Sequence, residues 1–155
     1  MLFDFSNGGA VEFRAKTITF SQNHHMNVMC FITNELSKHG ACRGENWIPK
    51  IGIWIAPPNE AAGPGIHVIY PGHKAGEVVY PYPGDGWHTY RFEICLADYI
   101  ASIFFYIDGK KFYETDNNKN VLSILAGEGP FHVCVSGRSV YGDNLIDDVR
   151  VMLPK

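Results

Sequence analysis

The chain has 155 residues, of which 46% are hydrophobic, 14% aromatic and 19% charged, with a formal net charge of −3. That length suits one domain covering residues 1–155, and the apolar fraction is enough for a core that needs no metal or disulfide staple. No Lys/Arg stripe or basic tail is present, which excludes the electrostatic footprint of a nucleic-acid binder, and no apolar run reaches the roughly 20 residues of a membrane-spanning helix.

The chain opens on Leu2-Phe3-Asp4-Phe5, a strand already under way, without the basic, apolar and small-residue order of a signal peptide. A domain of a larger protein or assembly, a mature form and an intact protein all fit that start. Strand-like runs rich in β-branched and aromatic residues follow at Val11–Phe20, Asn27–Thr33, Ile48–Ala56, Ile66–Tyr70, Glu77–Tyr80, Trp87–Leu96, Ser102–Ile107, Lys110–Thr115, Phe131–Gly137 and Asn144–Leu153. Turn signals separate them, among them Pro57-Pro58, Pro71-Gly72, Pro83-Gly84 and Asp108-Gly109. The segments Asn34–Gly40 and Asn118–Ala126 read as short helical turns.

Period-2 alternation assigns faces. In Trp87–Leu96, His88, Tyr90, Phe92 and Ile94 share one side, and Thr89, Arg91 and Glu93 the other. In Lys50–Ala56, Ile51, Ile53 and Ile55 lie opposite Gly52 and Trp54. Such patterns mean antiparallel sheets with one buried face, and about ten strands in this length mean two sheets packed face to face. The tightest local signal is Asp108-Gly109, a two-residue hairpin turn between alternating runs.

Four cysteines stand at 30, 42, 95 and 134 with no CxxC pair, so a zinc ribbon is excluded; buried thiols acting as small hydrophobes fit their strand positions. None of the seven histidines shares an element at chelating spacing.

Three segments in the second half carry a family resemblance. Trp87-His88-Thr89-Tyr90-Arg91-Phe92 is similar to a W/F-H-T-Y-x-I strand, Phe104-Phe105-Tyr106-Ile107-Asp108-Gly109-Lys110 to an I-x-F-Y-V-D-G-K hairpin, and Ile146-Asp147-Asp148-Val149-Arg150-Val151 to a closing hydrophobic-D-x-V-R-V strand. In this order, over residues 87–151, they resemble the concanavalin A-like lectin/glucanase superfamily, which includes laminin G-like and laminarinase-type domains. Val11-Glu12-Phe13-Arg14-Ala15-Lys16 is similar to that group's opening strand. The resemblance implies an all-β, two-sheet antiparallel jelly-roll sandwich, a carbohydrate (oligo- or polysaccharide) as partner, and an extracellular or surface-exposed setting. It also aligns Asp147 with a calcium-ligating aspartate of some relatives. The Glu-x-Asp-x-(x)-Glu run that carries the glucanase carboxylates is missing, so the reading is a non-catalytic, lectin-like module.

Trp54, Arg91, Glu93, Tyr106 and His132 lie opposite the core positions of their strands and are the candidate ligand contacts: aromatic platforms for a sugar's C–H face, with polar groups for its hydroxyls. Tyr80 and Tyr82, in the Pro- and Gly-rich stretch Tyr70–Gly86, are candidates for a stacking rim. Against these stand blander roles: Trp54 and Tyr106 under a covering loop, Arg91 and Glu93 as an ion pair, the loop tyrosines packed on the sandwich edge, and Asp147 as an edge acid beside Arg150. Two other functions fit the same chain. One is a structural or adhesion protein using the sandwich for protein–protein contacts. The other is a glycoside hydrolase or polysaccharide lyase, with Arg91, Glu93 and His132 the first residues to test.

Overall fold

In the computed structural model the described residues are 1–17, 27–34, 49–57, 63–74, 77–97, 100–115, 119–127, 129–138 and 145–155. They form strands β1 (Leu2–Phe3), β2 (Gly9–Thr17), β3 (Asn27–Thr33), β4 (Ile51–Ala56), β5 (Gly65–Ile69), β6 (Val78–Tyr80), β7 (Gly86–Ala97), β8 (Ile100–Ile107) and β9 (Lys110–Glu114), helix α1 (Lys119–Gly127), and strands β10 (Phe131–Arg138) and β11 (Leu145–Met152). Two antiparallel sheets result, a six-stranded one ordered β1-β10-β3-β4-β5-β6 and a five-stranded one ordered β11-β2-β7-β8-β9. No helix among the described residues is long and apolar enough to cross a membrane.

The alternation read from the sequence decides what lies between the sheets. Val11 and Phe13 of β2, Tyr90, Phe92 and Ile94 of β7, and Ile103 and Phe105 of β8 point inward from one sheet. Cys30 and Ile32, Ile51, Ile53 and Ile55, and Ile66 meet them from the other. Phe13 stacks on Tyr90 at 5.3 Å between ring centres. Each such fully buried side chain contributes about 1.5–3 kcal/mol of transfer free energy. Burial pushes the Cys30 thiol well above its ordinary range, so this residue behaves as the small hydrophobe its strand position implies. It forms no disulfide, and neither does the half-buried Cys95.

The hairpin forms as its turn residues dictate. Ile107 faces Lys110 across Asp108 (φ 49°) and Gly109 (φ 77°), the left-handed pair that Asp-Gly tolerates. Residues 119–126 of the Asn118–Ala126 run prove to be part of a nine-residue helix. Val121 and Leu125, one turn apart, are buried on it, so packing rather than end-capping holds it. Residues 18–20, 35–40, Ile48, Asn118 and Asn144 of the sequence-defined runs lie outside the described residues.

At β11 strict alternation, which would send Asp147 and Asp148 to opposite faces, breaks down. Instead Asp147 pairs with Arg14 and Arg150 with Glu12, so three steps on β11 match two on β2. The extra residue is a bulge, and Asp148 takes the left-handed conformation there (φ 50°). The carboxylate of Asp148 thereby reaches Arg14 and Arg150 on the sheet's outer side.

Candidate functional site

Each sheet has an outer face, and the sequence-derived contacts divide between the two. Arg91 and Glu93 of β7 and Tyr106 of β8 come together on the five-stranded sheet. Arg91 Nη2 donates to Glu93 Oε2 at 2.5 Å, along one strand, and its guanidinium lies 5.3 Å from the centre of the Tyr106 ring. The Tyr106 hydroxyl titrates above its ordinary value, through burial first and the Glu93 charge second. The pattern repeats across the face. Arg14 lies over Trp87 at 5.1 Å, Lys111 over Phe104 at 5.1 Å, Arg150 between Asp148 (3.5 Å) and Glu12 (3.9 Å), and Lys111 pairs with Glu114. Shallow concavities of about 400 Å³ (Arg91, Glu93, Cys95, Met152, Leu153) and 130 Å³ (Glu12, Thr89, Arg91, Tyr106) open here. The charges that line them already have partners within the protein, and each such exposed pair is worth about 0–1 kcal/mol.

Trp54 and His132 stand on the outer face of the six-stranded sheet, on the opposite side of the sandwich. Trp54 lies in register with Met29, which faces Ser136; His132 is four residues from Ser136 along β10. Phe31, Thr33, Ala56 and His67 also point away from the inter-sheet core, yet all are buried. Gly52 makes room for one of them: a Cβ there would stand 2.4 Å from the Cys30 carbonyl oxygen and from Phe31 Cβ.

The centre of this face is a cross-strand pair. Trp54 faces His67 in register, and the rings stack with centroids 4.4 Å apart at 24°. His67 is 1% exposed. Its Nε2 lies 3.1 Å from the Gly63 carbonyl oxygen; a carbonyl only accepts, so Nε2 carries the hydrogen and Nδ1 is left as an acceptor. His67 Nδ1 and Trp54 Nε1 are both buried and have no hydrogen-bond partner among the described residues; the same holds for Asn34 Oδ1, just past the end of β3, for His73 Nε2, and for Arg91 Nε on the other sheet. An unmet buried polar group costs about 1–3 kcal/mol. Here a donor and an acceptor of that kind belong to two stacked rings, and a hydroxyl group has the chemistry to meet either, since it both donates and accepts.

Tyr80 and Tyr82 occupy the edge where the sheets meet. Tyr80 packs on Phe112 of β9 at 5.1 Å. The Tyr82 hydroxyl donates to Asp85 at 2.9 Å and accepts from Thr17 at 2.7 Å. Tyr70 joins Tyr113 through their hydroxyls at 2.9 Å, with His73 Nδ1 3.2 Å from the Tyr70 hydroxyl; burial lowers the His73 pKa. These tyrosines pin the segment to the sandwich. Tyr80 and Tyr82 also wall a cleft with His88, Asp108 and Lys110.

His88, aligned by alternation with the core, is half-buried at the sheet's end, its Nδ1 hydrogen-bonded to Asp108 at 2.7 Å. Burial raises the Asp108 carboxyl, but the hydrogen bonds from His88 and the Thr89 amide outweigh it, and the pKa falls below its ordinary value. Asp147 lies exposed on an edge strand, one oxygen taking the Asp148 amide at 2.8 Å. Among the described residues no group of three or more His, Cys, Asp or Glu is placed to hold a metal ion.

Sequence reasoning left His67 without a role. Its signal was present: His67 alternates with buried Ile66 and Val68, as Trp54 does with Ile53 and Ile55. What joins the two is the β4–β5 register, which no local pattern contains.

No known family's sequence profile matches the chain, and comparison with curated proteins finds no significant match. Among solved structures, the carbohydrate recognition domain of Emp46p in its potassium-bound form superposes with a TM-score of 0.51 over 86% of this chain. The fold is concanavalin A-like. Sequence identity is 12%, and the chain spans 64% of the length of that domain, so the likeness is one of architecture. β4, Ile-Gly-Ile-Trp-Ile-Ala, presents Trp54 at its outer centre.

Proposed function

We propose that the protein is a lectin-like carbohydrate-binding domain whose ligand docks on the outer face of the six-stranded sheet at Trp54 and His67. The observation that carries this reading is the stacked pair with one buried donor and one buried acceptor lacking partners among the described residues. A sugar hydroxyl has the donor and acceptor chemistry that these two nitrogens lack, and the exposed part of the indole offers an apolar surface to the ring's C–H face. A few fixed polar groups on an apolar platform is the ordinary composition of a small-ligand site. The concanavalin A-like fold supports the reading by analogy, since unrelated functions share folds.

A glycan-array screen of the purified domain, with Trp54→Ala as control, tests it. Specific binding that disappears in the control while the variant keeps its circular dichroism spectrum and melting temperature supports the site. Binding that survives intact in Trp54→Ala moves the site elsewhere, and silence across a broad array removes the carbohydrate reading.

A second reading draws on β11. This edge strand exposes Leu145 and Val149, and Met152 and Leu153 are exposed at its end, a pattern that suits protein–protein contact. Concentration-dependent sedimentation that is abolished by Val149→Lys would favour an adhesion or assembly role. A monomer at every concentration would count against self-association.

A further inference from the structure

The cleft at the end of the sandwich has a volume of about 460 Å³ and is walled by Tyr80, Tyr82, Pro83, His88, Asp108 and Lys110. That lies within the roughly 300–1,000 Å³ typical of small-molecule sites. Its polar side is fixed by the hairpin turn. The Asp108 amide donates to the Thr89 carbonyl at 2.8 Å, and Asp108 Oδ1 accepts the Thr89 amide at 2.9 Å. Two bonds thus hold the left-handed turn against β7, and Asp108 Oδ2 takes His88 Nδ1 at 2.7 Å. With Nδ1–H committed to a carboxylate, the neutral ring's Nε2 is the remaining acceptor. Lys110, exposed at the cleft, forms no ion pair among the described residues. The apolar side is equally fixed: the Tyr82 hydroxyl is held by Thr17 and Asp85, and Tyr80 lies on Phe112.

Charge narrows the ligand class. A phosphate or sulfate site gathers several cations or converging backbone N–H groups. This cleft is lined by one ammonium and one carboxylate, the latter already engaged by His88 and Thr89. That balance suits a neutral, hydroxyl-rich molecule. We propose that the cleft is a second saccharide subsite, separate from the Trp54 face, that takes a neutral sugar of one or two rings. One hydroxyl donates to His88 Nε2, another accepts from Lys110 Nζ, and the ring's C–H face lies on the tyrosine wall. Asp108 acts as a positioning residue through His88. The inference rests on the carbohydrate-binding reading but not on the same residues.

The test is a titration of the isotope-labelled full chain with neutral gluco-, manno- and galacto-configured di- and trisaccharides, followed by NMR at the backbone amides and the histidine rings. Expected are perturbations at the His88 ring and the Gly109 and Lys110 amides. They persist in Trp54→Ala and weaken about tenfold in Lys110→Ala and His88→Ala. Asp108→Asn keeps a residue that tolerates the left-handed turn; it weakens binding and changes the His88 tautomer seen in the ring nitrogen shifts. Lys110→Ala, at an exposed hairpin position, carries the test should His88→Ala fail to fold. Perturbations confined to residues around Trp54 overturn the subsite and leave the proposed function standing. Cleft perturbations by inorganic phosphate and not by neutral sugars overturn the ligand class. No perturbation at either place overturns both.

Discussion

The two outer faces of the sandwich satisfy their polar groups in contrasting ways. On the five-stranded sheet Arg14, Arg91, Lys111 and Arg150 each have a carboxylate partner, and three of them also lie against an aromatic ring. On the six-stranded sheet Phe31, Thr33 and His67 are buried although they point away from the core, and two buried nitrogens go unmatched among the described residues. The five-stranded face leaves one buried donor, Arg91 Nε, unmatched among the described residues; its charges are otherwise paired, so most new contacts there would displace an existing one. A face with an unmatched donor and acceptor has that free energy still to gain.

Substitutions that separate the faces should differ most in stability. Gly52→Ala places a Cβ against the backbone of β3 and is expected to cost about 1–3 kcal/mol through overpacking. Thr89→Ala on the other face should stay within about 0.5 kcal/mol. Urea unfolding of the pair checks this, and equal losses would erase the structural contrast. Next in size is ligand affinity: Trp54→Ala should weaken glycan binding at least tenfold, about 1.4 kcal/mol, while Arg91→Ala leaves it nearly unchanged by calorimetry. A double-mutant cycle on Arg91 and Glu93 should give a coupling of about 0.2–1 kcal/mol that shrinks with added salt. A salt-independent coupling of several kcal/mol would mean that this face is more than a solvated ion-pair array.

How much of this could be read from the chain depends on the range of the interaction. Period-2 alternation placed Tyr90, Phe92, Ile53 and Ile55 inside and Trp54, Arg91 and Glu93 outside, because a side chain's face relative to its own strand is a local property. Alternation does not say to which sheet a strand belongs. Trp54 and His132 therefore part company from Arg91, Glu93 and Tyr106 only once strand order is known. The Trp54–His67 stack and the Tyr82–Thr17 bond join residues 13 and 65 positions apart and depend on long-range register. Asp148 escapes the local pattern for a different reason: one bulge residue in a left-handed conformation shifts the phase of everything after it.

The smallest expected effect concerns the hairpin end. Asp108 titrates below 3.8 because its hydrogen bonds to His88 and Thr89 outweigh its burial. A carboxyl whose pKa is lowered on folding stabilises the fold above its unfolded-state value, and that contribution is lost as pH falls through the folded value. Stability should therefore decline slightly below about pH 4, and Asp108→Asn should flatten the decline. A carbon-13 titration of the Asp108 carboxyl checks the sign, and a midpoint above 3.8 would contradict it.

The contrast between the faces can be observed in a single experiment, because each carries one tryptophan among the described residues. Trp54 lies on the six-stranded sheet, and Trp87, 40% exposed, on the five-stranded sheet beneath Arg14. Indole N–H resonances, assigned through Trp54→Phe and Trp87→Phe, are followed while a glycan selected from the array is added. The Trp54 signal is expected to shift and saturate while Trp87 stays in place. A shift at Trp87 with Trp54 unmoved would put the ligand on the charged face and contradict the assignment of the site.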